Sequence, residues 1–193
     1  MPEASTAYDV EERTRDGSRR SAAASRRARR RLSDAGLEAS IHVIGGSAMA
    51  LNFPDGEETR VTRDIDAIVH PTAEVKKIVE LRADDHGLSP TWLNSNGAPF
   101  VPPRPHRNGT RPGVVVTTAT TRELIAMKLA AAREQDLFDL GILARHAGIT
   151  DASKIVDIAF EAYGEDSVVL NEPRADYLIL AEQALRRAPY GRR

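Results

Sequence analysis

Three short segments of this chain have the apolar patterns of β-strands. Residues 41–44 and 114–117 are rich in apolar and β-branched residues, which favour an extended backbone. Residues 64–69 alternate between acidic and apolar positions at first and are apolar afterwards. This pattern predicts a strand that is buried on one face at its start and on both faces beyond.

Segments with helical spacing separate these strands. Apolar residues recur every three to four positions over residues 73–86, which predicts a helix that ends before Gly87. Residues 18–35, rich in alanine and arginine, predict an earlier helix that ends at Gly36, and residues 48–53 predict one or two helical turns. Strands that alternate with helices indicate an α/β arrangement.

Beyond residue 119 the helical pattern continues without further strands. The sequence Thr120-Thr121-Arg122-Glu123 has the form of a capping box, in which a threonine and a glutamate cap the start of a helix. Four helices are predicted, over residues 121–132, 136–146, 152–163 and 174–187. We therefore expect an α/β core with a short mixed β-sheet, followed by a C-terminal helical bundle.

The predicted organisation has three parts. The 193 residues have room for one core with a helical appendage. Residues 1–16 are polar and acidic and are expected to form a frayed or disordered tail. Residues 17–119 would form the α/β core with a basic N-terminal helix, and residues 120–188 would form the helical lobe.

Composition restricts the class of protein and its compartment. The chain has no cysteine, which excludes disulfides and thiolate zinc sites. Hydrophobic residues make up 41% of the chain, which is enough for a core, yet there is no apolar run long enough to span a membrane. The N-terminus lacks the apolar stretch of a signal peptide. These features predict a soluble, cytoplasmic protein with no membrane partner.

Positive charge is concentrated near the N-terminus. Residues 17–31 carry seven arginines and no acidic residue, so the rest of the chain has a net charge of −8 against −1 for the whole. Such a segment attracts a nucleic-acid backbone, or it forms an ordinary solvated helix. Residues 95–112 hold five prolines and predict a surface loop, whose basic residues at 104–111 are a second candidate for RNA contact.

The sequence Gly45-Gly46-Ser47 follows the first predicted strand and precedes a helix. Glycine lets the backbone approach a phosphate closely, and the start of a helix offers N–H groups and a positive dipole. The Ser47 hydroxyl adds a further donor. The corner therefore indicates a phosphate site, although two glycines also serve strand-to-helix corners for steric reasons alone.

Asp64 and Asp66 form the strongest candidate for metal binding. Residues i and i+2 of a strand point to the same face, so both carboxylates are expected at one spot. Two like charges held together repel each other, and Mg²⁺ or Mn²⁺ would relieve that repulsion while also binding substrate phosphates. The alternative is a strand end with two solvated acids, which the apolar Ile65, Ile68 and Val69 argue against.

Together, these two signals have the layout of phosphoryl transfer. A glycine–serine corner would hold a triphosphate, and the paired carboxylates would hold the metal that bridges it to an attacking hydroxyl. The five histidines are scattered and show no ligand spacing, so none is assigned to a metal.

The order of these motifs resembles a known superfamily. Residues 43–51, Val-Ile-Gly-Gly-Ser-Ala-Met-Ala-Leu, and residues 60–66, Arg-Val-Thr-Arg-Asp-Ile-Asp, look like the first motif of the DNA polymerase β-like nucleotidyltransferases. Later segments around Lys128 and Asp139, with Trp-Leu-Asn at 92–94, are similar to the AbiEii/MenT-type toxin nucleotidyltransferases and to small relatives of them.

This resemblance covers about residues 38–147 and implies a nucleotidyltransferase fold. It also implies a reaction, the transfer of a nucleotide from an NTP to an acceptor, often the 3′ end of a tRNA, by a toxin paired with an antitoxin. The expected substrates and partners are therefore an NTP, an RNA acceptor and an antitoxin protein, with Mg²⁺ or Mn²⁺ as cofactor.

Four positions match the phosphate and metal residues of the family. Gly46 and Ser47 match its phosphate-binding pair, and Asp64 and Asp66 match its metal ligands. The strand predicted at 114–118 has no carboxylate, so the third metal ligand common elsewhere in the superfamily is missing there.

Lys128 matches the family lysine that faces the nucleotide, and Asp139 matches a later acidic position, so the resemblance assigns both to the catalytic site. From its helical spacing alone, Lys128 would extend to solvent, pair with an acid or reach a phosphate. In one unbroken helix Lys128 and Asp139 would be roughly 16 Å apart, so direct pairing requires a turn near residues 132–134. Asp136 and Asp139 are otherwise expected to cap and orient the site, with Arg133 as a partner.

Two other functions compete with RNA modification. The missing strand carboxylate favours a degenerate module that binds a nucleotide or a protein without catalysis. The third possibility is an enzyme that modifies a small molecule such as an antibiotic, whose site would lack a basic rim. Thr62, two residues before Asp64, is in addition a candidate for a modification that silences the enzyme, or it simply completes the strand.

Overall fold

The computed structural model describes four stretches of the chain, residues 38–54, 64–83, 89–103 and 114–187. They belong to two compact units, one formed by Met1–Ala98 and Arg107–Ala119 and the other by Pro99–His106 and Thr120–Arg193. The predictions for the tail at 1–16, the arginine-rich segment 17–31, the basic loop residues 104–111 and Thr62 lie outside the described residues.

The first unit is built on a mixed four-stranded sheet. Strand β1 (Ala39–Val43) pairs antiparallel with β2 (Ile65–His70) and parallel with β4 (Val114–Thr118). Strand β3 (Leu93–Asn94) pairs parallel with β2, which gives the order β3-β2-β1-β4. The α/β class and the short mixed sheet are thus confirmed. The apolar pattern did not predict β3, because two residues are too few to show a period.

Alternate residues of β1 and β2 form a buried face of the sheet. Ile41 lies opposite Val69 and Val43 lies opposite Ala67, and each of the four is at most 6% exposed. Ile68 points to the other face and is only half-buried. The expected burial on both faces is therefore wrong, because β2 buries one face along its whole length.

Two helices of the first unit contact β2, namely α1 (Gly45–Asn52) and α2 (Thr72–Ala83). Helix α1 begins directly after β1 rather than at the predicted residue 48. It buries four consecutive residues, Ser47, Ala48, Met49 and Ala50, most of which are small and allow a close approach to the sheet. At its end, the Asn52 side chain donates a hydrogen bond of 2.8 Å to the Ala119 carbonyl and so links α1 to the end of β4.

The second unit is a bundle of four helices, α3 (Thr121–Ala131), α4 (Glu134–His146), α5 (Ala152–Tyr163) and α6 (Arg174–Arg187). The bounds agree with the predicted ones to within two residues. Helix α3 packs on α4 and α5, and α6 packs on the same two helices. The side chains at the centre are fully buried, namely Leu124, Ile125, Leu129, Leu140, Leu143 and Ile155.

The ends of these helices are held by side chains. The predicted capping box is confirmed, since Thr120 accepts a hydrogen bond from the Glu123 N–H and Glu123 accepts one from the Thr120 N–H. In the segment before β4, a short 3-10 turn at Ala98–Phe100 accepts a hydrogen bond of 2.5 Å from the Tyr163 hydroxyl. Burial raises the pKa of Tyr163 above its ordinary value. Within the described part of the chain no helix is both long and apolar enough to cross a membrane.

Candidate metal centre

The corner between β1 and α1 is the first part of the candidate site. Ile44 has extended backbone and precedes the helix without a side-chain cap, and its N–H donates a hydrogen bond of 2.8 Å to the Asp66 carbonyl. Gly45 then has a φ of +61°, a conformation that costs other residues roughly 1–2 kcal/mol. The chain reverses within these two residues, so the start of α1 is anchored to β2.

Gly45 also lies against one of the predicted metal ligands. A β-carbon added to Gly45 would come to 3.0 Å from the Asp66 Oδ2 atom, which is tighter than most contacts of real β-carbons, so the Asp66 carboxylate would have to shift. Glycine is therefore favoured here by its backbone angle, and its small size lets the Asp66 carboxylate keep its position. The start of α1 therefore lies next to the Asp66 carboxylate, although the sequence showed the two only as separate motifs.

Ser47 supports the other predicted ligand. Its side chain is buried, at 2% exposure, and its hydroxyl donates a hydrogen bond of 3.0 Å to the Asp64 carbonyl. The serine thus fixes the backbone on which Asp64 is carried. The sequence assigned Ser47 to phosphate binding, and that role stays a prediction, as does the role of the half-exposed Gly46.

Asp64 and Asp66 lie at the start of β2. Asp66 belongs to the strand and is half-buried, whereas Asp64 immediately precedes it and is exposed. The Asp64 Oδ2 atom accepts a hydrogen bond of 3.0 Å from Asn94 Nδ2. Asn94 is the residue of β3 directly opposite Asp66. In the sequence, Asn94 was noted only as part of the motif Trp-Leu-Asn of the family resemblance. Its place beside Asp66 could not be predicted, because nothing in the sequence showed that β3 pairs with β2.

The donor set at this place suits a small divalent cation. Carboxylate oxygens are the ligands that Mg²⁺ and Mn²⁺ prefer, and Gly45 places no side chain against the Asp66 carboxylate. In the described stretches no three His, Cys, Asp or Glu side chains come together to hold a metal. Asp64 and Asp66 would therefore share an ion with oxygens that a ligand brings.

Strand β4 has no acidic residue and pairs with β1 rather than with β2. Its Thr117 hydroxyl lies 2.8 Å from His42 Nδ1 of β1. The strand is thus polar and uncharged at Thr117.

Lys128 belongs to a charged cluster in the helical unit. Helix α3 ends at Ala131, Ala132 has a φ of +50°, and α4 begins at Glu134. This turn brings the Lys128 Nζ atom within 2.8 Å of Asp136 Oδ1 and 2.7 Å of Asp139 Oδ2. Of the three arrangements predicted for Lys128, the structure shows the pairing with an acid. The helix is interrupted at Ala132, within the range 132–134 where this pairing required a turn.

Burial and charge act against each other in this cluster. The side chains of Lys128, Asp136 and Asp139 are 11%, 3% and 13% exposed. Burial alone would lower the pKa of Lys128, but Asp139 and Asp136 outweigh it and raise that pKa. Burial alone would raise the pKa of Asp136, but Arg133, at 2.6 Å, and Lys128 outweigh it and lower that pKa. Lys128 and Asp136 are therefore both held in their charged forms.

Asp136 is the member of this cluster that the sequence argument left out of the catalytic set. It is more deeply buried than Asp139 and binds two cationic side chains, Lys128 and Arg133. The spacing of Arg133, Asp136 and Asp139, which follow one another at intervals of three residues, was the available signal.

The chain matches no protein-family model, no curated protein and no solved structure. Its function is therefore argued from the corner at Gly45, the carboxylates at Asp64 and Asp66, and the charged cluster around Lys128.

Proposed function

We propose that this protein is a metal-dependent nucleotidyltransferase that moves a nucleotide from an NTP to a hydroxyl acceptor. The observation that carries the proposal is the contact between the start of α1 and the Asp66 carboxylate at Gly45. A phosphate-binding element and a metal-binding element must lie side by side for this chemistry, since the metal ion bridges phosphate oxygens.

The triphosphate would bind at the start of α1. The first N–H groups of a helix have no partner within it, and Ile44 provides no side-chain cap for them. These groups and the helix dipole favour an anion. Gly46 presents its backbone without a side chain, and the Ser47 hydroxyl holds the Asp64 carbonyl. The N–H groups, the helix dipole and Gly46 support binding of the β- and γ-phosphates here.

Asp64 and Asp66 would hold Mg²⁺ or Mn²⁺ together with phosphate oxygens of the NTP. When bound, the ion neutralises charge on the triphosphate and makes its phosphorus more electrophilic. In the reaction, the acceptor oxygen forms a bond to the α-phosphorus while the bond to the bridging oxygen breaks. Pyrophosphate leaves with that electron pair, and the hydroxyl proton passes to solvent.

The resemblance to toxin nucleotidyltransferases supports the finer part of the proposal. It suggests an RNA acceptor, such as the 3′ end of a tRNA, and an antitoxin partner. It also assigns Lys128 and Asp139 to the nucleotide site. The Lys128 ammonium has three donors, of which Asp136 and Asp139 use two, so a phosphate contact would rely on the third.

A non-catalytic nucleotide-binding module is the second candidate. The absence of a carboxylate from β4 favours it, because a third acid commonly completes the metal site in the superfamily that the chain resembles. Such a module would bind Mg²⁺ with an NTP but would transfer nothing.

Incubation with each labelled NTP, Mg²⁺ and total RNA tests the proposal. We expect one or more nucleotides to become attached to a defined RNA species, and EDTA or Asp66→Asn to prevent it. Label on a small molecule instead would indicate the antibiotic-type activity. Binding of the NTP without any labelled product would contradict the proposed reaction and favour the binding module.

A further inference from the structure

The strand order shows which residues of the sheet lie beside Asp66. Strand β4 pairs with β1, on the side away from β2, so its residues are not the direct neighbours of Asp66. The neighbour of β2 on its other side is β3, where Asn94 lies directly opposite Asp66. Residues opposite each other on paired strands share a face, so Asn94 lies on the face of the two acids.

The amide of Asn94 is held at both ends. Its Nδ2 donates to Asp64 Oδ2 at 3.0 Å, and its Oδ1 accepts from the Asn96 N–H at 3.0 Å. A reversed amide would turn its oxygen towards the carboxylate and its NH₂ group towards the N–H, which replaces two hydrogen bonds by two repulsive contacts. The hydrogen-bond pattern therefore defines the orientation and keeps a donor directed at Asp64.

We infer that Asn94 is a positioning residue that holds the Asp64 carboxylate ready for a divalent cation, an inference that rests on the proposed function. Asp64 is exposed and lies just outside β2, so its side chain needs support. Ser47 fixes its carbonyl and Asn94 fixes its Oδ2 atom. The remaining lone pairs of the carboxylate stay available to the cation.

A neutral amide has a different effect from a third acid at this position. It orients Asp64 without adding negative charge to the site. A two-carboxylate site depends on phosphate oxygens to complete the coordination of a Mg²⁺-like ion. We therefore expect Mn²⁺ to bind weakly alone and more tightly together with an NTP.

Mn²⁺ titration followed by electron paramagnetic resonance tests the inference, with the full chain and with or without a non-hydrolysable NTP. Asn94→Ala should weaken Mn²⁺ binding by about 10- to 100-fold, as loss of an outer-shell partner commonly does. Asn96→Ala is the matched control and should behave as wild type, because only the backbone N–H of Asn96 contacts Asn94. Asn94→Asp should bind Mn²⁺ alone more tightly than wild type and gain less from the NTP.

The possible results show whether the role of Asn94, the proposed function or both are wrong. If wild type binds Mn²⁺ with the NTP and Asn94→Ala binds it equally well, the inference is wrong and the function stands. If wild type binds no Mn²⁺ even with the NTP, both are wrong. Circular dichroism checks folding of each variant. Should Asn94→Ala fail to fold, Asn94→Ser decides, because its shorter side chain lacks the amide donor that reaches Asp64, and an Mn²⁺ affinity with the NTP equal to that of wild type would overturn the inference.

Discussion

Two pairs of aspartates in this protein have very different surroundings. In the helical unit, Asp136 and Asp139 bind the ammonium of Lys128, and all three side chains are almost buried. In the sheet unit, Asp64 is exposed and accepts a hydrogen bond from the neutral amide of Asn94, while the half-buried Asp66 lies against Gly45.

The difference indicates what each pair can do. A buried pair that carries its own counter-ion is part of the fold, and removal of the cation would leave charge in the interior. The exposed Asp64, oriented by a neutral amide beside the start of β2, would be able to receive a cation from solution together with Asp66. The same residue type thus has a structural role in one region and a proposed binding role in the other.

The largest expected effect is the loss of nucleotidyl transfer in Asp64→Ala and in Asp66→Ala. Each variant removes one of the two carboxylates proposed to hold the metal ion, while the fold should remain because these side chains are not part of the core. Transfer of labelled nucleotide and circular dichroism measure the two properties. Asp166→Ala removes an exposed acid elsewhere and should stay active. Near wild-type transfer by either site variant at limiting Mg²⁺ would show that the site is misassigned.

Lys128→Met, unlike the variants of Asp64 and Asp66, should lower the unfolding free energy. Without the ammonium, Asp136 and Asp139 lose their shared cation in a buried setting, which costs about 3–5 kcal/mol in unfolding free energy. Urea denaturation measures the loss. Arg186→Met, which breaks an exposed pair with Glu182, should change stability by less than about 1 kcal/mol.

The same variant addresses the proposed nucleotide contact of Lys128. NTP affinity, measured under conditions where Lys128→Met is folded, should fall if the ammonium also binds a phosphate. A folded variant with unchanged NTP affinity would restrict Lys128 to its structural role, and an unchanged unfolding free energy would contradict that role.

The contribution of the charged cluster around Lys128 to the stability of the fold should depend on pH. Because the pKa of Asp136 is lowered by folding, its contribution is present above its ordinary value of 3.8 and is lost as the pH falls through the lower folded value. Because the pKa of Lys128 is raised, its contribution is present below 10.5 and is lost as the pH rises through the higher folded value.

The stability difference between wild type and Asp136→Asn should therefore be constant at neutral pH and shrink below pH 3.8. Denaturant unfolding at a series of pH values measures it. A difference that persisted unchanged in acid would mean that the charge of Asp136 contributes nothing.

A smaller effect on stability than that of Lys128→Met is expected at the glycines. Gly45→Ala and Gly148→Ala both place a side chain at positive φ, +61° and +66°, and each should cost roughly 1–2 kcal/mol. Only at Gly45 would the new Cβ press on Asp66, at 3.0 Å, whereas nothing lies within 4 Å of a Cβ at Gly148. Mn²⁺ binding should therefore weaken in Gly45→Ala alone. Equal Mn²⁺ affinity in both variants would show that the close approach at Gly45 has no bearing on the site.

Much of the fold could be predicted because its elements have strong periodic patterns. The helices after residue 119 are each eleven or more residues long with an apolar face, and the capping box at Thr120 marks where the first of them begins. The turn at Ala132 could be inferred only as a condition for pairing Lys128 with Asp139. Alanine is a good helix former, so nothing local indicated its positive φ.

The candidate site was predicted in part. Asp64 and Asp66 were found because a strand places residues i and i+2 on one face. Asn94 and Gly45 acquire their roles from pairings between segments far apart in the sequence, β3 with β2 and the start of α1 with Asp66. Such registers depend on tertiary packing, which a single sequence does not show for a strand of two residues.

The central claim is that Asp64 and Asp66 hold a divalent cation together with an NTP. Isothermal titration calorimetry with a non-hydrolysable NTP tests it most directly, in Mg²⁺ and in EDTA, for wild type and for the double variant Asp64→Asn, Asp66→Asn. The account predicts that wild type binds the NTP in Mg²⁺ at least tenfold more tightly than in EDTA, a ratio worth about 1.4 kcal/mol or more. The double variant should show no such dependence. Equal NTP affinity of the two proteins in Mg²⁺, or equal affinity of wild type with and without the metal, would contradict the claim.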